Sequence, residues 1–208
     1  VMPIRMLGYE MAHHGEGRWN GVAILSRVGL EDVVANFGDG PVRDSSAGAT
    51  VAVSEDDFDP LGEARMVSAV CGGVRVVSLY APNGREVGSP FFEGKLRWFE
   101  RLSRWLAETR SPDEPLVLGG DYNVTPADID VWSPKAFEGS THVTPAEREA
   151  LQHVKDWGLV DTFRDRYHDV PGLYSYWDYR AGDFHQKRGL RIDYLLSSTA
   201  LASTNRSD

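Results

Sequence analysis

The chain has 208 residues, 41% hydrophobic and 25% charged, with Lys plus Arg at 22 against Asp plus Glu at 31 and a formal net charge of −9. This is ordinary composition for one globular domain over 1–208, and it excludes a non-specific nucleic-acid binder working by bulk positive charge. The single Cys71 excludes a disulfide framework and a cysteine metal cluster. It fits a reducing compartment, and there is no membrane-length apolar run and no basic-then-apolar leader pattern, so a cytoplasmic protein without membrane contact is expected.

Leu7 to Ala12 has the pattern of a short strand, and His13-His14-Gly15-Glu16-Gly17 reads as a turn. Adjacent histidines point in different directions on any regular element, which favours a solvated loop over a metal site. Trp19 to Leu25 supplies a strand, with Gly21 marking close backbone packing. Glu31 to Asp59 is rich in Gly, Asp and Ser, so a strand or two with long loops is expected there, with Glu55-Asp56-Asp57 on a solvated surface. Two β-rich runs, Glu63 to Cys71 and Val74 to Tyr80, flank Gly72-Gly73 and predict a hairpin. Cys71 is then a small packing residue beside the turn. Pro82 and Asn83-Gly84 stop the second run and leave Tyr80 at a strand end.

Phe92 to Glu108 is the clearest helix. Phe92, Leu96, Phe99, Leu102 and Leu106 recur at spacings of three and four, Trp98 and Trp105 widen the stripe, and Glu93, Lys95, Arg97, Glu100 and Arg101 fall largely elsewhere. It joins the Tyr80 strand to Leu116-Val-Leu-Gly-Gly-Asp-Tyr-Asn-Val-Thr-Pro126 in the form of a crossover. There, three apolar residues read as a buried strand ending at Gly119-Gly120. Asp121 and Asn123, two apart, project to one side of an extended backbone at the end where open α/β sheets place their chemistry. The glycines let a substrate or metal approach the backbone, and the bland alternative is a pair of Asx turns.

Thr144-Pro145-Ala-Glu147 predicts a helix start with a capping box, an apolar face at Leu151, Val154 and Trp157, and a stop at Gly158. Tyr174-Ser-Tyr-Trp-Asp-Tyr-Arg180 packs four aromatics into six positions, and Arg180, His185, Lys187, Arg188 and Arg191 follow, the one clearly basic segment of an acidic chain. Such a mixture suits a surface that stacks on bases or sugars and meets phosphates; a half-buried strand with a solvated basic loop is an equal reading of its composition. Asp193 stands inside the apolar run Ile192 to Leu196, an expensive place for a carboxylate that is neither paired nor metal-bound.

Six stretches in order, Trp19-Asn-Gly-Val-Ala-Ile24, Leu79-Tyr-Ala-Pro-Asn-Gly84, Gly119-Gly-Asp-Tyr-Asn-Val-Thr-Pro126, Trp157-Gly-Leu-Val-Asp-Thr-Phe163, Tyr174 to Arg180 and Gly189-Leu-Arg-Ile-Asp-Tyr-Leu-Leu196, resemble the exonuclease III family of apurinic/apyrimidinic endonucleases, within the endonuclease/exonuclease/phosphatase superfamily. The resemblance implies an α/β fold, a DNase I-like four-layer α/β sandwich of two facing mixed β-sheets with outer helices. It implies Mg²⁺-dependent cleavage, with Mn²⁺ as a substitute, of duplex DNA 5′ to abasic sites and at 3′ ends by a monomer. By the motif match Asp121 orients or deprotonates the attacking water, and Asn123 steadies the phosphoryl group or metal-bound water, the two being the metal-site residues. Tyr80 hydrogen-bonds the phosphate, and Asp193 joins the same cluster by orienting a histidine. Asn83 and Arg85 contact the DNA backbone, Trp177 lines the abasic-sugar pocket, and Arg180 belongs to the DNA-binding surface.

The chain departs from that family in lacking the upstream Asn strand and metal-binding Glu motif, and Ser207-Asp208 stands without the histidine of a closing Ser-Asp-His. A fragment cut at both ends is therefore expected, one that alone binds Mg²⁺ weakly and cleaves abasic DNA poorly or not at all. The competing readings are a phosphatase or phosphodiesterase acting on a non-DNA substrate, and a catalytically impaired damage-binding module.

Overall fold

A computed structural model describes residues 2–17, 20–38 and 59–204. Trp19, most of the Glu31 to Asp59 stretch including Glu55-Asp56-Asp57, and Ser207-Asp208 lie outside the described residues.

The strands are β1 (Glu10–Gly15), β2 (Gly21–Ser26), β3 (Glu31–Ala35), β4 (Met66–Cys71), β5 (Val74–Tyr80), β6 (Leu116–Asp121), β7 (Leu159–Asp161) and β8 (Asp193–Ser198). The helices are α1 (Met2–Met6), α2 (Pro90–Thr109), α3 (Pro145–Asp156), α4 (Thr162–Arg166), α5 (Asp183–Gln186) and α6 (Thr199–Thr204). Among the described residues β1 and β2 form a two-stranded antiparallel sheet, and the other strands form a mixed sheet in the order β3-β4-β5-β6-β8-β7.

The large sheet is covered on one face by α2 and α3. Trp98, Phe99, Leu102, Trp105 and Leu106 of α2 and Leu151 and Val154 of α3 pack on Val77, Leu79, Leu116, Leu118 and Leu196. Full burial of each such side chain is worth about 1.5–3 kcal/mol, so this layer holds most of the core. On the other face, Ala12, Val22 and Ile24 meet Val67, Ala69, Val76 and Tyr80. The smaller sheet thus lies over β4 and β5, with α1 outside it against β1. The expected four layers are present, with the second sheet antiparallel instead of mixed among the described residues.

Local rules explain much of this. The Gly72-Gly73 hairpin closes with Cys71 opposite Val74, both glycines at positive φ, as a two-residue turn matching strand twist requires. β5 runs parallel to β6, with α2 as the crossover. Thr144 caps α3 and forms the expected capping box with Glu147, with Pro145 at the first turn.

Other expectations are corrected. His13 and His14 continue β1 instead of turning, because pairing to Ala23 and Val22 satisfies their backbone. Asp193 opens β8 and does not sit in its interior. Tyr174 to Arg180 forms no strand; a single bridge joins Tyr176 to Leu190. Gly119 and Gly120 lie within β6, and what fills their missing side-chain space is protein, not a ligand. A Cβ on Gly119 would lie 2.8 Å from Leu195, and one on Gly120, at φ 148°, would lie 1.9 Å from the Leu79 carbonyl oxygen.

That contact gives a direct test. Gly120→Ala is expected to lower stability by at least about 3 kcal/mol, roughly 6–12 °C in Tm for a chain of this size. Gly73→Ala, which has positive φ but no heavy atom within 4 Å of its Cβ, is expected to cost only about 1 kcal/mol. Thermal unfolding of both variants checks the contrast.

Candidate active site

Three neighbouring strands set one row of polar side chains. Tyr80 at the end of β5 is the Cα partner of Asp121 at the end of β6, and Asp121 is the partner of Asp193 at the start of β8. β8 is antiparallel to β6, so its beginning lies beside the ends of the other two. Residues directly opposite in a sheet project to the same face. Val77 and Leu79 face the helices, while Val76 and Tyr80 face the small sheet, so the row lies on the inter-sheet side. The small sheet packs over β4 and β5, and beyond it Asp193 is exposed and Leu195 is 57% exposed. A cleft of about 570 Å³ opens beside Asp193, lined in part by Phe163, Tyr167, Tyr174 and Leu195.

Asn123 joins this row by a different route from the one expected. Its φ is 54°, so the backbone leaves the strand in the left-handed region that Asn tolerates. Its N–H donates to Asp121 Oδ1 at 2.8 Å, and its carboxamide nitrogen donates to Asp121 Oδ2 at 3.2 Å and to the Ala81 carbonyl at 3.0 Å. Its Oδ1 accepts from Asn83 Nδ2 at 3.2 Å. The Asx turn and the grouping of Asn123 with Asp121 are therefore one structure. Both carboxamide hydrogens of Asn123 are engaged, whereas Asn83 spends one on Asn123 and accepts from the Arg85 N–H at 3.1 Å.

The electrostatics follow from partial burial. Desolvation raises the Asp121 carboxyl to about 6; the Asn123 N–H pulls it down, Asp193 pushes it up, and Lys95 and Arg65 lower it. Burial likewise raises Asp193, opposed by its hydrogen bond with Ser175. Arg65 is itself buried, lies 5.1 Å from the Tyr80 ring centroid and donates to the Tyr80 carbonyl at 3.2 Å.

Behind the row lies a buried polar cluster that the sequence reading missed. Lys95, expected off the apolar stripe of its helix, is fully buried. Its ammonium donates to the Asn123 carbonyl at 2.7 Å, the Asn83 carbonyl at 3.2 Å and Glu147 Oε1 at 2.5 Å, with Thr141 Oγ1 farther away at 3.4 Å. Glu147 also accepts from Thr141, the His142 N–H and Thr144. Burial alone would raise its carboxyl, but Lys95 and these bonds hold it below the ordinary range. Burial, reinforced by the Lys95 charge, lowers His142 to about 4. Its ring is neutral at pH 7, and the 2.5 Å contact with the Asn123 carbonyl requires the proton on Nδ1, because a carbonyl can only accept.

A second buried group ties β8 in place. Arg191, expected in the basic surface segment, is buried and pairs with Asp130 at 2.5 Å and Asp161 at 2.9 Å, and Arg164 adds a bond to Asp130 at 2.6 Å.

The structure thus joins Tyr80, Asp121, Asn123, Asn83 and Asp193. It leaves three expected residues outside that group. Arg85 stacks on Phe91 at 3.6 Å, Trp177 packs edge-on between Tyr174 and Phe184, and Arg180 is exposed against Tyr179. Tyr176 is the aromatic whose hydroxyl feels both Asp121 and Arg180, and it is 42% exposed. Alternation in the aromatic run could not distinguish it from Trp177, because no regular strand forms there. Asp121, Asp193 and the Asn123 oxygen are an all-oxygen donor set, the chemistry preferred by a hard divalent cation. Among the described residues no group of three or more His, Cys, Asp or Glu could hold a metal ion, and no helix is long and apolar enough to cross a membrane.

Comparison with known proteins bears on the fold and the family. An exodeoxyribonuclease of Bacillus subtilis is 36% identical over 139 residues, covering 67% of this chain and 54% of the relative. The structure of an AP endonuclease from Archaeoglobus fulgidus superimposes with a TM-score of 0.83 at 29% identity, covering 97% of this chain and 71% of the other. The structure of the 3′ phosphatase NExo from Neisseria bound to product DNA hairpin gives 0.79 at 32% identity, again covering 97% and 71%. The chain thus spans little more than half of the Bacillus relative and about seven-tenths of the two structures. The Endonuclease/Exonuclease/phosphatase family matches residues 3–207, and the chain belongs to that family.

Proposed function

We propose that the protein is an exodeoxyribonuclease III-type DNA repair nuclease, a cytoplasmic monomer that hydrolyses duplex DNA 5′ to abasic sites and at 3′ ends with Mg²⁺, or Mn²⁺ in its place. The observation that carries this reading is the shared register of Tyr80, Asp121 and Asp193 with the Asn83–Asn123 pair bonded into it. The exposed Tyr176, Tyr179 and Phe184 beside Arg180 and Lys187 favour a nucleotide over a small phosphomonoester, because stacking and phosphate contacts coincide there.

In the metal-free site Asp121, raised to about 6, is ionised at pH 7 yet more basic than an ordinary carboxylate. It is suited to take the proton of an attacking water. Asn123 fixes both carboxylate oxygens of Asp121, so its part is to aim the base; its engaged hydrogens leave the contact with phosphate to others. The Tyr80 hydroxyl and the remaining Asn83 N–H donate to the non-bridging oxygens. Asp193 keeps Asp121 basic by repulsion. Asp121 and the spare lone pair of Asn123 Oδ1 would hold Mg²⁺, which when bound supplies charge neutralisation at the phosphate.

Incision of an abasic duplex by this chain is expected to be slow and to rise with millimolar Mg²⁺. Asp121→Asn should lower the rate by about 10²–10⁴-fold, and Tyr80→Phe by about 10–100-fold, the worth of one hydrogen bond to a charged group. Gel assays of abasic and 3′-recessed duplexes, set beside a soluble phosphomonoester, decide the matter. Preference for the phosphomonoester would overturn the DNA reading, and Mg²⁺-independent binding without cleavage would leave a binding module.

Asp121 also links stability to pH. Its folded value of about 6 lies above the ordinary 3.8, so its stabilising effect is complete below about pH 4 and is lost as pH rises through about 6. Without divalent cation, Asp121→Asn is expected to be more stable than the parent at pH 7 by about 1 kcal/mol, discounted for partial exposure, with no advantage at pH 4. Urea unfolding at the two pH values measures it.

A further inference from the structure

We propose that Lys95 is a positioning residue of the active site, its buried ammonium drawing the backbone carbonyls of Asn83 and Asn123 to one point and thereby setting the Asn123 carboxamide against Asp121 and the Asn83 carboxamide against Asn123. The kinetic part of this inference rests on the nuclease reading; the geometric part does not.

The side chain lies on the packed face of α2, in the company of Phe92, Phe99 and Leu102, where an apolar residue would fill the space without any charge to desolvate. A buried ion pair is on average no better for stability than a well-packed apolar pair, so core packing does not account for Lys95. Its contacts do. One nitrogen meets the Asn83 carbonyl at 3.2 Å in the loop after β5, the Asn123 carbonyl at 2.7 Å in the turn after β6, and Glu147 at 2.5 Å on α3. Three donors on one tetrahedral centre serve segments distant in sequence.

Both residues tied by their carbonyls carry the carboxamides that bond to each other at 3.2 Å, and one of them holds Asp121 through its N–H and its side chain. Glycine at 84 completes the arrangement, since its φ is 87° and a Cβ there would stand 3.0 Å from the Lys95 stem and 3.1 Å from Thr141 Oγ1. The turn leaves room for the lysine to pass. Glu147 therefore has two tasks, capping α3 through one oxygen and anchoring Lys95 through the other.

The test uses Lys95→Met and the double variant Lys95→Met/Glu147→Gln, which removes both charges so that neither is left alone in the core. The double variant is expected to unfold cooperatively and to keep KM for an abasic duplex within roughly threefold, while kcat falls by about 10–100-fold, the scale on which misplaced catalytic groups act. The ¹⁵N side-chain amide resonances of Asn83 and Asn123 should shift. Unchanged resonances with unchanged kcat would overturn the proposal, as would equal losses in kcat and KM with non-cooperative unfolding, which mark a packing role alone. Were the parent chain to show no phosphodiesterase activity, the nuclease reading would fail, and the amide resonances would still decide whether Lys95 places the two carboxamides.

Discussion

The candidate active rim depends on β6 having a parallel neighbour on one side and an antiparallel neighbour on the other. Parallel pairing with β5 brings two C-terminal ends together, and antiparallel pairing with β8 adds a beginning. Tyr80, Asp121 and Asp193 then share a row without any loop having to hold them. A slip of one residue in either pairing would send one member of the row to the helix-covered face. Gly120 protects the register, because only a residue without a Cβ can lie against the Leu79 carbonyl at that point.

The row is held under electrostatic tension. Two carboxylates on adjacent strands face a space that is only partly open to water, and burial pushes both of their values upward. The chain opposes this with directed donors, the Asn123 N–H and carboxamide on Asp121 and the Ser175 hydroxyl at Asp193. Donors of this kind orient a carboxylate as well as stabilise it, so neutralising it by substitution would release tension and lose direction together. On the proposed function, stability and chemistry are in competition at Asp121.

Much of the frame is legible in the sequence because its signals are local. The capping box at Thr144, the Gly72-Gly73 turn, the stripe of α2 and the crossover all follow from spacing within a few residues. What escapes is non-local. Lys95 reads as lying off the apolar stripe because its charge outweighs its position, and nothing near it in the chain announces Glu147 as its partner. Arg191 reads as part of a basic surface for the same reason, although Asp130 and Asp161 enclose it. Asn123 was expected to share an extended backbone with Asp121. It reaches the same neighbour through a left-handed turn, because a short polar side chain can compete for backbone hydrogen bonds where a strand ends. In each case the residue type was visible and its partner was not.

Those hidden partners also decide where the positive charge of an acidic chain is exposed. Several of its arginines do not face solvent as free charge. Arg191 and Arg164 are spent on Asp130 and Asp161, Arg65 on Glu63, and Arg75 on Asp32. Arg180 and Lys187 are exposed, beside exposed Tyr179 and Phe184. At physiological ionic strength charges farther apart than about 8 Å are largely screened, so the net charge of −9 matters less to a bound phosphate than the nearest few groups. That aromatic segment also carries Asp178 and Asp183, and Asp193 is exposed while Asp121 is half-buried, so any preference of this surface for a polyanion rests on Arg180 and Lys187.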